Sequence, residues 1–207
     1  MTDQSGLNDT RNDPQAQRVV REIERFVETF EERAGKHAAD VILDGNNLHG
    51  SQINQEPERF VEDNLIEPIA NALNLNVRFR PKGFTGLEGR IPDFTVLNLD
   101  IENFGEVKTP GQIASGRKES VEYLEMATER PIVGIATDGF TWILYTANES
   151  EKPTYTSHER IYDIIKKIRM EQAHERAERR SRPPLREAAY GLVSEFSKAA
   201  IKKRIQQ

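Results

Sequence analysis

Between Phe104 and Thr137 the chain switches from strand to helix to strand, and that switch restricts the folds open to it. Phe104 to Lys108 reads as a short strand. Ala114 to Ala127 reads as a helix with Val121, Leu124 and Ala127 on its inner side, and Pro131 to Thr137 as an apolar strand. Elements in this order form a βαβ unit, whose two strands are parallel and joined by a right-handed crossover. Asp138-Gly139 is a two-residue hairpin signal, and Phe140 to Ala147 is expected as the last strand. Upstream, Val77-Arg78-Phe79 alternates, and Pro92 to Leu97 is a further strand candidate. Asn98 to Asn103 would join it as a hairpin to Phe104–Lys108. These segments predict an α/β (α+β) fold with a central mixed β-sheet flanked by helices.

The flanking helices are legible from apolar spacing. Val19, Val20, Ile23, Phe26, Val27 and Phe30 define an amphipathic helix over Gln15 to Ala34, stopped by Gly35. A second helix is expected from Pro57 to about Leu73, with a kink at Pro68, where the missing N–H interrupts the ladder. Asp44 to Gln55 and Pro81 to Gly89 read as loops, the latter from Gly83, Gly86 and Gly89. Ile161, Ile164, Ile165 and Ile168 mark a helix after the sheet. Arg179 to Pro184 breaks it, and Leu185 to Phe196 starts another. The expected organisation is a disordered tail over residues 1–14, a core over 15–156 and a basic helical extension over 157–207.

Composition narrows the function. The 207 residues include no cysteine, which excludes disulfides, thiol nucleophiles and cysteine-ligated metal centres. No run of about 18 apolar residues is present and the first 13 residues are polar, so neither a transmembrane helix nor a signal peptide is expected. A cytoplasmic location fits. The mean hydropathy of -0.69 suits a modest core with solvated helices. The net charge is -5, yet Ser157 to Gln207 holds 13 Lys and Arg against 7 Asp and Glu. Polyanion binding needs a local basic surface rather than a basic total. This segment is either such a surface or a solvated helix face.

The chemistry concentrates on Gly105-Glu106-Val107-Lys108-Thr109-Pro110. Residues i and i+2 of a strand share a face, so Glu106 and Lys108 point together and Val107 points into the core. In the preceding strand Asp93 and Thr95 share one face, and Phe94 and Val96 the other. Pairing the two strands as a hairpin would gather Asp93, Glu106 and Lys108 on one side. Two converging carboxylates form a hard oxygen site suited to Mg²⁺, which takes one or two carboxylates and keeps several waters. The Val107 backbone carbonyl would add an oxygen. A bound cation offsets phosphate charge and activates a water, and Lys108 beside it would stabilise developing negative charge. Glu62, on the polar face of the second helix, is a further candidate for the metal's surroundings. The alternative for Asp93, Glu106 and Lys108 is a surface ion-pair cluster, and for Glu62 a solvated helix face. Trp142 and Tyr145 read as packing residues. The four histidines show no metal-ligand spacing.

Arg90-Ile91-Pro92-Asp93-Phe94 followed by Gly105-Glu106-Val107-Lys108-Thr109-Pro110-Gly111 resembles the PD-(D/E)xK nuclease superfamily. The likeness is greatest to the nuclease domains of type I restriction subunits and related type II restriction enzymes. Thr137 to Tyr145 resembles the glycine–tryptophan hairpin that often follows in those domains. The resemblance covers roughly Glu56 to Tyr145. It implies a restriction-endonuclease-like core and Mg²⁺-dependent hydrolysis of DNA phosphodiesters, with Mn²⁺ able to substitute, in restriction or host defence. It assigns Asp93 and Glu106 as metal ligands, Lys108 as the catalytic lysine and Glu62 as the less constant helix acid. One position departs. Where such subunits often carry Gln-x-x-x-Tyr, this chain has Glu119 and Tyr123, and an acid that repels phosphate replaces an amide. Lys118 is the neighbouring cation that would compensate. No P-loop or methyltransferase motif is found, so a motor or methyltransferase would come from other chains or a longer parent. The helices over 15–34 and 158–206 have apolar positions enough for a homodimer or for packing on their own sheet. The competing expectation is a catalytically inactive nuclease fold acting as a nucleic-acid-binding or assembly subunit.

Overall fold

The computed structural model describes residues 13–36, 48–81, 90–128, 130–147, 154–174 and 183–206. The expected tail before Asp13, residues 44–47 of the expected loop over 44–55 and nearly all of the glycine-containing loop over 81–89 lie outside the described residues, while the rest of the first loop carries a short helix at Gly50–Ile53.

Six strands form one mixed sheet in sequential order. They are β1 (Val77–Phe79), β2 (Phe94–Val96), β3 (Glu102–Val107), β4 (Ile132–Thr137), β5 (Thr141–Ala147) and β6 (Thr154–Arg160). β3 and β4 run parallel across the helix between them, and every other neighbouring pair is antiparallel. The expected βαβ unit and the expected hairpin of β2 with β3 are both present. β5 is not the last strand. The expected helical extension from Ser157 begins instead at Ile161, because Thr154–Arg160 adds a sixth strand along β5.

Helices cover both faces. On one face lie α1 (Pro14–Ala34), a short α2 (Gly50–Ile53), α3 (Pro57–Val61) and α4 (Glu67–Ala72). They share a core with α6 (Ile161–His174), α7 (Pro183–Phe196) and α8 (Lys198–Ile205). Phe94, Val96, Val107, Val133, Ile135, Trp142 and Leu144 supply the sheet side of that core. On the other face α5 (Ile113–Met126) packs Tyr123 and Leu124 against Phe104, Ile132, Ala136, Ile143 and Tyr145. Asp13 caps α1 by accepting from the backbone N–H groups of Gln15 and Ala16, and Pro14 occupies the first turn, where its missing donor costs nothing. The C-terminal helices therefore belong to the main core and do not stand apart from it. No helix among the described residues is long and apolar enough to cross a membrane.

Two local expectations are corrected. The stretch expected as one helix around Pro68 is not α-helical throughout. A π-helical turn, Glu62–Ile66, sits between α3 and α4 and ends two residues before the proline. The wider turn absorbs the steric and hydrogen-bonding conflict that proline brings to a helix interior. Asn64 Nδ2 donates to the Phe60 carbonyl at 2.8 Å across the same stretch. The connection from β4 to β5 has three residues, Asp138 to Phe140, rather than two. The buried Asp138 carboxylate accepts from the N–H groups of Phe140 (3.1 Å), Thr141 (2.7 Å) and Gly111 (3.1 Å). Gly139 takes φ +83° there, and a Cβ would come within 2.2 Å of Val61 Cγ1.

Candidate active site

The site forms where β2 meets β3. The single backbone register pair, Phe94 with Gly105, sets Asp93 opposite Glu106. Side chains hold the strands together on both sides of that pair. On one side, Asn103 spans Val96 with its amide, accepting from the Val96 N–H at 2.6 Å and donating to the Val96 carbonyl at 3.1 Å. On the other, Asp93 Oδ2 accepts from the Val107 N–H at 2.8 Å. Gly105 allows the close approach: the Phe94 ring lies over it, and a Cβ would sit 2.0 Å from Phe94 Cζ. Phe94, Val96 and Val107 turn into the helical core as strand parity predicts.

Glu106 is 2% exposed. Its Oε2 accepts from Lys108 Nζ at 3.1 Å, while Oε1 is buried with no hydrogen-bond partner. Burial, and then the negative charge of Asp93, push its carboxyl up to about 8, against an opposing pull from Lys108. Tyr123 also pulls it down, although its hydroxyl makes no hydrogen bond of normal length to Oε1. Lys108 lies just past the end of β3, and its N–H still bonds the Thr137 carbonyl at 2.9 Å. Its ammonium sits between Glu106 and Glu119, 3.0 Å from Glu119 Oε2. Burial pulls the lysine down, but the Glu119 hydrogen bond and the Glu106 charge outweigh it and hold Lys108 above its ordinary range. The lysine is therefore protonated.

Glu119 has a partner that sequence reasoning did not name. It pairs with Lys108 itself, and Lys118 pairs with Glu122 at 3.9 Å instead of compensating at Glu119. Glu119, Glu122 and Tyr123 recur at helical spacing on α5, which is the signal that could have grouped them. Tyr123 packs edge-on against Phe104 at 5.2 Å between ring centroids, and the Arg90 guanidinium lies 5.9 Å from its ring and 2.9 Å from Glu122.

Glu62 is engaged by arginines. It is 2% exposed, and its carboxylate is taken up by Arg80 through two bonds (2.8 and 3.0 Å) and by Arg59 at 2.7 Å. The structure thus places it as the buried anion of an arginine pair. It connects to the site through Arg80, whose N–H donates to the Asp93 carbonyl at 2.7 Å. Among the described residues no group of three or more His, Asp or Glu side chains is arranged to hold a metal ion. Asp93 and Glu106 supply two carboxylates, which matches the small carboxylate number that Mg²⁺ uses. The orphaned Glu106 Oε1 and the mutual repulsion of the two acids are what a cation between them would relieve. Trp142 and Tyr145 are buried packing residues, Trp142 edge-on to Phe196 at 6.0 Å. Comparison with protein-family models, curated proteins and solved structures returned no match.

Proposed function

We propose that the protein is a Mg²⁺-dependent DNA endonuclease with a restriction-endonuclease-like core, acting in restriction or host defence. The observation that carries this reading is the buried, unpartnered Glu106 Oε1 beside Asp93, with a protonated lysine on the other oxygen of the same carboxylate. Asp93 and Glu106, with the Val107 carbonyl, are the residues that would hold the cation. When bound, Mg²⁺ offsets charge on the phosphodiester and acidifies a water. Lys108 presents positive charge to the negative charge that develops on the attacked phosphate. The Val107 N–H fixes the Asp93 carboxylate, and Glu106 and Glu119 fix the lysine, so little reorganisation is needed as charge develops. Mn²⁺ is expected to substitute.

The test is cleavage of supercoiled plasmid in Mg²⁺, Mn²⁺ or EDTA. Wild type should nick or linearise the plasmid only with metal. Asp93→Ala and Lys108→Ala should each lower the rate by about a hundredfold or more. Retained cleavage by either variant would remove that residue from the site. DNA binding that survives EDTA and is unchanged by Lys108→Ala, with no cleavage, would favour a non-catalytic subunit.

A further inference from the structure

The acids at the site repel DNA, and Lys108 is already committed to two of them. A phosphodiester backbone approaching Asp93 needs other cations. The edge strand β1 offers them. Val77 and Phe79 pack toward the helical core, so Arg78 emerges on the opposite face, where it is exposed. Arg78 pairs with Thr95, which shares a face with Asp93, and Asp93 stands opposite Glu106. Arg78 is thus a diagonal neighbour of Asp93, and such pairs lie about 7–8 Å apart. Its guanidinium has no ion-pair or hydrogen-bond partner among the described residues. α5 covers this face over β3, β4 and β5, toward the other end of the sheet.

Arg80 follows just past the end of β1, where strand parity no longer sets the direction of its side chain. It holds φ +50°, a left-handed conformation that a long side chain adopts at an energetic cost, and such strain concentrates at functional positions. Its fork is fixed by both oxygens of Glu62, yet its side chain is 60% exposed. Leu97, just past β2, is exposed as well at 46%. Arginine is the side chain whose planar fork matches phosphate oxygens.

We infer that β1 is the docking strand for the sugar-phosphate backbone of DNA, with Arg78 and Arg80 as its phosphate contacts beside the cleavage site. Glu62 is then the residue that positions Arg80. This inference rests on the nuclease reading. Its test is equilibrium binding of the full chain to a short fluorescein-labelled DNA duplex in EDTA, over a series of salt concentrations. Arg78→Gln and Arg80→Gln should each weaken binding by about tenfold. Each should reduce the slope of log K against log salt by about 1, without changing preference among duplex sequences. Arg21→Gln, on an exposed position of α1, is the control and should bind as wild type. Arg78 loses no partner on substitution, so its variant reports on binding even if Arg80→Gln unfolds. Wild-type affinity and slope in Arg78→Gln would overturn the inference while leaving the nuclease reading intact, provided the plasmid is still cut. A wild type that neither binds the duplex nor cuts plasmid would end both.

Discussion

Glu106 is where the chemistry of single residues is most exposed to measurement. Its carboxyl ionises in the unfolded chain near the ordinary value of 4.5, whereas burial and Asp93 push it up to about 8 in the fold. Between these values the folded chain keeps a proton that the unfolded chain has lost. Raising pH through this window therefore favours unfolding, and the loss is complete once pH exceeds about 8. Thermal denaturation in EDTA should show a Tm that falls from pH 5 to pH 8, and Glu106→Gln should flatten that fall. An unchanged slope in the Gln variant would assign the effect to another group. The residue scale also shows what sequence can carry. Strand parity is a local rule, so Glu106, Val107 and Lys108 were legible from their order alone. The Lys108–Glu119 contact was not, because it depends on how α5 is rotated on the sheet. The Arg80–Glu62 pairing was equally hidden, since it depends on a left-handed residue at the end of β1.

At the scale of elements, the β2–β3 junction is the critical piece of geometry. One backbone register pair and side-chain bridges from Asp93, Thr95 and Asn103 hold it, and the Phe94 ring occupies the space over Gly105. Gly105→Ala cannot be accommodated unless Phe94 moves, and a displaced Phe94 carries Asp93 with it. The variant should lose plasmid cleavage and should be destabilised by about 1–3 kcal/mol, the usual cost of overpacking. Both effects are measurable by a cleavage assay beside denaturant unfolding, and wild-type cleavage would show that β2 tolerates the shift. The βαβ unit was legible because its apolar runs are strong. β6 was missed for the opposite reason. Thr-Tyr-Thr-Ser-His-Glu-Arg has no apolar alternation, as suits an edge strand protected from pairing with another chain. The π-turn went unread because Pro68 signals a disturbed helix without specifying how the disturbance is absorbed.

Across the whole molecule, the two ends of the chain meet in one core. α1 packs against α6 and α7, and Arg169 reaches Glu31 at 3.1 Å. Phe196 is fully buried against Trp142, and Ile201 of α8 is fully buried too. The Lys198 N–H donates to the Leu73 carbonyl, and Lys202 pairs with Asp100 in the turn that joins β2 to β3. The segment's charge describes its solvent face, whereas its apolar positions decide where it packs, and they pack on their own sheet. Phe196→Ala should cost about 3–5 kcal/mol, seen as a lower midpoint in denaturant at unchanged slope. A cost under about 1 kcal/mol would show that the C-terminal helices are dispensable to the core.

The same closure sets a timetable. Synthesis proceeds from the N-terminus, and segments emerging early ordinarily fold first. Here α1 leaves the ribosome with an apolar face whose partners on α6 and α7 lie more than a hundred residues downstream. Asp93, Glu106 and Lys108 are likewise translated well before the helices that complete the layer beneath their sheet. Built this way, the helical layer beneath the sheet closes only after α6, α7 and α8 have been made.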